Sequence, residues 1–253
     1  MNYLDLKIIE REIKQGNELF ILRVFDRQSK RAKRIIFTKD TRTQNQNRIE
    51  ELASPLRDIV KNIYGEISTS RKLADVKDYH YGEYELVKVV AESLFPKLRL
   101  VVFGAGHVGQ AVGLIGSILG LDVVVVDDRP EFASRKRFPN PGITLFVGDY
   151  SKVIEGLKLG PNSAVVIVTR GHQFDESCLR GTIGLNTGYL GMIGSKRRVL
   201  SILNRLEKDG YPRNKLEKLH APIGLRIGAK SPQEIAVAIL GEIISCFNSG
   251  NLK

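Results

Sequence analysis

The chain has 253 residues, 42% of them hydrophobic, enough to bury a conventional core, which excludes a disordered polymer. Its formal net charge of +11 draws it to anions, whether nucleic acid, phosphorylated cofactors or an acidic partner. No run approaches the roughly 18 consecutive apolar residues of a membrane span, and the start, MNYLDLKIIEREIK, carries charges where a secretory signal is apolar. A cytoplasmic protein without membrane association is therefore expected.

The first segment, residues 1–96, reads as a small α+β domain. Alternating apolar runs from Leu19 to Phe25 and from Arg34 to Thr38 suggest a hairpin. Between Arg23 and Arg48 nine Lys/Arg face two acids, but Phe25 and Phe37 are the only aromatics there. With so few stacking platforms, this reads as a solvated basic face rather than a nucleic-acid site. A helix follows from about Asn47 to Tyr64, broken near Ser54-Pro55, because a proline inside a helix removes a hydrogen bond and clashes with the preceding turn. Leu73 to Tyr79 and Tyr84 to Val90 can form further strands, and Phe95-Pro96-Lys97 marks a boundary.

From residue 97 to residue 253 short β-branched runs alternate with amphipathic helices. The runs are Leu98 to Phe103, Asp122 to Asp127, Ile143 to Val147, Ser163 to Thr169 and Gly188 to Ile193. Helices are expected from His107, from Glu176 to Leu185, from Lys196 to Asp209, and after Ser231-Pro232-Gln233-Glu234, a capping box with proline in the first turn. This pattern predicts an α/β fold, a Rossmann-like doubly wound parallel sheet. The two cysteines, Cys178 and Cys246, lie in apolar helical patterns without metal-ligand spacing and read as reduced core thiols, so no metal site is expected.

The chemistry-bearing residues cluster where the expected strands end. Gly104-Ala105-Gly106-His107-Val108-Gly109 is a GxGxxG string opening a helix. Gly104 suits a tight turn, Gly106 lets backbone amides approach a pyrophosphate, and Gly109 allows close helix–strand packing. Asp127 ends the second strand about twenty residues on, where a carboxylate can accept ribose hydroxyls. Asp128 and Arg129 follow it; Arg129 could instead meet a 2′-phosphate, but the free diol is the favoured reading. Thr169-Arg170-Gly171-His172 ends the fourth strand, with Asp175 beyond it. The first and fourth strands flank the topological switch point, so His107 and His172 are expected on one crevice. Gly194-Ser195-Lys196 is a second helix entrance suited to an anion, or simply an N-cap at Ser195. His172 and Asp175 are the candidate catalytic residues, since histidine can move a proton near neutrality; capping is the competing role for Asp175.

Taken together, the strings FGAGHVGQA, VVVVDDRPEFA with RFP nearby, IVTRGHQFDESCLR, YLGMIGSKRR and LHAPIGLRIGAKSPQEIAVAILGEI resemble, in order, the XdhC/CoxI family of xanthine dehydrogenase accessory proteins. The resemblance implies a Rossmann-type domain in a chaperone that binds molybdenum cofactor, as molybdopterin or its dinucleotide. Such a factor assists cofactor maturation and insertion into a molybdenum hydroxylase apoenzyme, in some members with a cysteine desulfurase partner; a homo-oligomer, a dimer, is expected. Its binding residues would be Gly104, Gly106, His107, Val108, Gly109, Asp127, Asp128, Arg129, Thr169, Arg170, His172, Gly194, Ser195 and Lys196. The first ninety residues depart from the family pattern, because the GSxPR-like and GGGxxE-like strings of its N-terminal domain are absent from this sequence. The alternative on the same fold is an NAD(P)-dependent oxidoreductase with His172 as proton donor. The weakest reading is an RNA-binding or nucleotide-sensing protein.

Overall fold

A computed structural model describes residues 3–14, 19–26, 32–38, 57–58, 61–62, 74–81, 85–94 and 96–249. The chain divides into two compact units, Met1–Pro96 and Lys97–Lys253. In the first, helix α1 (Tyr3–Lys14) precedes strands β1 (Leu19–Asp26), β2 (Ala32–Thr38), β3 (Ala74–Tyr81) and β4 (Glu85–Leu94). The strands form an antiparallel sheet in the order β2-β1-β4-β3. The expected hairpin is there, with Leu19 opposite Thr38 and Phe25 opposite Ala32. Helix α1 was not anticipated from its charged sequence. Its Ile8, Ile9 and Ile13 pack on Leu19, Ile21 and Ile36, so a narrow apolar stripe was enough once a sheet face stood opposite. The helix expected between Asn47 and Tyr64 lies almost wholly outside the described residues.

The second unit runs β5 (Arg99–Phe103), α2 (His107–Ile118), β6 (Asp122–Asp127), β7 (Thr144–Val147), α3 (Tyr150–Gly156), β8 (Ser163–Ile167), α4 (His172–Thr182), β9 (Tyr189–Met192), α5 (Lys196–Lys208), α6 (Arg213–Leu216) and α7 (Pro232–Ser249). Its five strands are all parallel, in the order β7-β6-β5-β8-β9. Strands β5, β6 and β8 are buried on both faces, which is why they read as near-continuous apolar, valine-rich runs, whereas the edge strand β7 is largely exposed. One face carries Leu100, Val102, Val123 and Val125 against Ala111 and Val112 of α2 and Ile239, Ile243 and Phe247 of α7. The other carries Val101, Phe103, Val124, Val126 and Ile167 against Tyr150, Leu179 and Ile202. The capping box of α7 forms as expected, Ser231 Oγ accepting from Glu234 N at 3.2 Å and Glu234 Oε2 accepting from Ser231 N at 3.1 Å.

Two of the boundaries that differ from expectation lie at the carboxyl edge of the sheet. β8 ends at Ile167 rather than Thr169. Val168 N still donates to Phe103 O at 2.8 Å, but Thr169 N turns to the Asp175 carboxylate at 3.2 Å, so the ladder stops there. Helix α4 begins at His172, not Glu176, because Asp175 N already closes on Gly171 O at 3.1 Å. His107 opens α2 as expected, and His172 opens α4 ahead of the expected start at Glu176.

The glycine-rich segment from His220 to Lys230 is tied down at its start. His220 N donates to Leu190 O at 2.9 Å, Met192 N to His220 O at 3.0 Å and Ile223 N to Met192 O at 3.1 Å. The Glu242 carboxylate of α7 then accepts from Tyr189 Oη at 2.6 Å and Gly224 N at 2.8 Å, and lies 3.3 Å from His220 Nδ1, with the Tyr189 ring stacked on His220. Burial pushes the Glu242 carboxyl up, but His220, Tyr189 and the Gly224 amide outweigh it and hold the group down to about 2. Because the folded value lies below the unfolded one, the stabilisation is complete above the ordinary carboxylate range and fades as pH falls toward 2. Glu242→Gln is expected to cost about 3 kcal/mol at pH 7, with the gap to wild type closing in urea titrations run from pH 5 downwards.

Candidate functional site

Gly104 follows β5 directly with φ +105°, and a Cβ there would overlap the Val168 carbonyl. The turn can thus be made only by a residue without a side chain. A Cβ at Gly109 would overlap the Gly104 carbonyl oxygen, and one at Gly116 would come 2.5 Å from Leu100, so α2 rides closer to the strand than any side chain permits. Gly106 is different. Nothing lies within 4 Å of the position its Cβ would take, and its φ of −62° and ψ of −169° are open to any residue. Its glycine is therefore not required by packing, and the space beside it is free for a ligand. No side chain caps α2, and the first cap-region bond is Gln110 N to Gly106 O at 2.8 Å. The amides ahead of it, on exposed His107 and half-buried Val108, face outward with the positive end of the helix dipole.

Asp127, at the end of β6, is fully buried. Its Oδ2 accepts from Ala105 N at 2.6 Å and from Arg129 Nη2 at 3.0 Å, and its Oδ1 accepts from Arg129 N at 3.0 Å and Arg129 Nε at 2.8 Å. Burial works to raise its pKa, but these donors prevail and hold the carboxyl below its ordinary value. The carboxylate expected to meet a ribose diol is thus committed inside the fold. Asp128 pairs with Arg170 at 2.8 Å, joining the ends of β6 and β8 across the carboxyl end of β5. The local Asp128–Arg129 pair is the longer contact, 3.8 Å. Two residues that the sequence pattern left without a role complete this rim. The Arg129 guanidinium lies 3.5 Å over the Phe132 ring, and Arg137 lies 4.9 Å from the same ring. Arg137 also donates through Nη2 to Ala105 O at 3.1 Å. Their signal was the string from Asp127 to Pro139, in which arginines alternate with aromatics.

Beyond β8, Asp175 is also fully buried. It accepts from Thr169 N and from the Thr169 hydroxyl and forms an ion pair with Arg198 of α5. That arrangement holds the Thr169–Gly171 loop in place and gives Asp175 a positioning role. The backbone of His172 starts α4 on the strand next to the one that precedes His107, so both helix entrances border the β5/β8 crevice. The His172 side chain lies outside the described residues. Ser195 accepts from Arg198 N at 3.3 Å, so it is the N-cap of α5, following Gly194 and preceding exposed Lys196. Among the described residues no group of acids, histidines and cysteines has the spacing of a metal site. Cys178 is buried, and burial pushes its thiol up, while Cys246 is half-buried. These contacts separate scaffold from surface: Asp175→Ala should cost about 3–5 kcal/mol by leaving Arg198 and the loop amide unpaired. His107→Ala should stay within about 0.5 kcal/mol, both read from urea denaturation of the full chain.

With this geometry in place, the chain can be set beside known proteins. The XdhC Rossmann domain family matches residues 100–243. The uncharacterized protein YqeB of Escherichia coli K12 is 34% identical over 151 residues, 60% of this chain and 28% of YqeB. A probable xanthine dehydrogenase component of Bacillus subtilis 168 is 30% identical over 151 residues, 59% of this chain and 43% of that protein. The molybdenum cofactor insertion chaperone PaoD of Escherichia coli K12 is 22% identical over 150 residues, 59% of this chain and 40% of PaoD. The matches therefore span less than half the length of each of these relatives. A crystal structure of a xanthine dehydrogenase from Bacillus halodurans superimposes with a TM-score of 0.58 at 19% identity, covering 97% of this chain and 94% of that one, a likeness of fold. A family match across more than half of the residues, on a five-stranded parallel sheet with a glycine turn at its switch point, places this chain in the XdhC Rossmann-domain family.

Proposed function

We propose that this protein is an accessory chaperone that binds molybdenum cofactor and assists its maturation and insertion into a molybdenum hydroxylase of the xanthine dehydrogenase type. The observation that carries the reading is the turn at Gly104 to Gly109, which combines an uncapped helix entrance with open space at Gly106 in a family whose relatives include a cofactor insertion chaperone. The residues present suit a phosphorylated pterin. Arg137 Nε is buried without a hydrogen-bond partner, its Nη2 holds the Ala105 carbonyl, and the uncapped start of α2 adds backbone donors. Backbone amides at Gly106, His107 and Val108 would hold the phosphate, Gly109 would keep α2 close, and Thr169, Arg170 and the start of α4 at His172 would border the head of the ligand. Asp127 and Asp128 act here through Arg129 and Arg170, which they orient. The turn at Gly194, Ser195 and Lys196 would flank the same edge, two strands from β5. The bound molybdenum supplies the hydroxylation chemistry of the client enzyme, and this chain keeps its cargo's phosphate in place until transfer.

The protein would work in the cytoplasm, as a dimer, with the apoenzyme as partner and a cysteine desulfurase as a second partner during maturation. No helix among the described residues is long and apolar enough to cross a membrane. The competing oxidoreductase reading takes His172 as proton donor beside a nicotinamide; Asp175, the other candidate catalytic residue, is buried against Thr169 and Arg198.

The test is direct. Full-length protein purified from molybdenum-replete cells should release a pterin, identified by mass spectrometry after acid oxidation. Gly106→Val should lose it at a cost of only about 1 kcal/mol in stability, since the added side chain enters open space and replaces a favoured N-cap residue. Recovery of NAD(P) in place of a pterin would establish the oxidoreductase reading, and a Gly106→Val protein that retains pterin would move the site elsewhere.

A further inference from the structure

A free ribose diol is recognised in this fold by a carboxylate at the end of the second strand, which accepts from the 2′ and 3′ hydroxyls. That needs lone pairs turned outward. A carboxylate offers about four acceptor directions, and at Asp127 four donors of the fold already occupy the two oxygens: Ala105 N, Arg129 N, Arg129 Nε and Arg129 Nη2. Asp127 is fully buried beneath them. A diol could reach it only by breaking a charge-assisted, two-pronged pair and leaving a guanidinium without its counter-ion. The remaining donor atom of Arg129, Nη1, is not used by Asp127, and the side chain is held in place by the Phe132 ring 3.5 Å beneath it.

Arg137 lies against the same ring, donates to Ala105 O at 3.1 Å and has a buried Nε without a hydrogen-bond partner. The charges here are unequal. Asp127 is matched by Arg129 and Asp128 by Arg170, which leaves Arg137 and the α2 dipole as the uncompensated positive partners of the turn. Any ligand group arriving beside Ala105 therefore meets donors and positive charge.

We infer that Arg129 and Arg137 make this turn selective for a ligand that presents a phosphomonoester at the ribose position, and that it discriminates against one presenting a free ribose diol. The inference rests on the turn being the ligand site, as proposed above, and sharpens what the end of β6 takes: a phosphate rather than a free ribose diol. Asp127 is a positioning residue that orients Arg129, and Arg129 is the specificity-determining one.

NADP+ and NAD+ differ only in a 2′-phosphate and serve as probes in equilibrium dialysis with the full chain. NADP+ should bind at least about tenfold more tightly than NAD+, the worth of one hydrogen bond between charged groups. Arg129→Ala should cut that ratio below about threefold, losing NADP+ affinity while NAD+ gains a freed Asp127 carboxylate. Where Arg129→Ala fails to fold because Asp127 is left unpaired, Arg137→Gln should weaken NADP+ at least about threefold more than it weakens NAD+. Equal or tighter binding of NAD+, binding of neither probe at millimolar concentration, or a preference for NADP+ that survives both substitutions overturns the inference. Pterin content of the same preparations separates this from the proposed function. Pterin lost in Gly106→Val together with a preference for NAD+ sinks only the phosphate selectivity, whereas a preference for NADP+ without any pterin sinks only the cargo.

Discussion

A buried carboxylate that must remain charged organises the carboxyl edge of this sheet. Asp127 has no exposure to water, so the energetic cost of its ionisation has to be met by donors within the fold. Ala105 supplies one from the glycine turn, and Arg129 supplies the rest. In meeting that need, the carboxylate ties the turn after β5 to the end of β6 and sets the Arg129 guanidinium over Phe132. The Ala105 amide and the Arg129 guanidinium are thus both placed by one buried charge.

The same logic recurs twice, at the far side of the crevice and at the base of the last helix. Asp175, buried at the start of α4, holds the Thr169 amide and hydroxyl and draws Arg198 across from α5. Glu242 of α7 gathers Tyr189, His220 and the Gly224 amide, which anchors the beginning of the His220 to Lys230 segment to β9. In each case an acid on a regular element immobilises an irregular stretch through donors the stretch could not otherwise satisfy. Rigid loops at strand ends follow from this, and rigid loops are what a site built from backbone amides requires.

Several arginines of this basic chain are committed to ion pairs. Arg99 pairs with Asp122, Arg129 with Asp127, Arg170 with Asp128, and Arg180 and Arg205 share Glu176. Exposed pairs of this kind contribute little to stability individually. Their effect is to fix guanidinium groups at the strand ends, and the Arg137 side chain lies beside the turn on the Ala105 carbonyl.

Much of the second unit was determined by the sequence alone. Buried parallel strands must be β-branched on both faces, and a positive-φ turn with a helix pressed against it must be glycine, so the five strands, the turn at Gly104 and the capped helix at Ser231 are legible as local patterns. The resemblance of its strings to one family was legible for the same reason, since those strings are the strand ends themselves. Only the tertiary structure decided what each polar residue at those ends does. Whether Asp127 faces a ligand or its own arginine, whether Asp175 reacts or anchors, and that Arg137, Glu242 and His220 matter at all depend on partners 2 to 53 positions away in the chain. Periodicity reports which face of an element a residue occupies, but a hydrogen bond is a short-range, directional contact between elements, and its partner is chosen only when the elements pack. The helix α1 makes the same point for apolar contacts, because its stripe of isoleucines acquired a meaning only when the β1–β2 face closed over it.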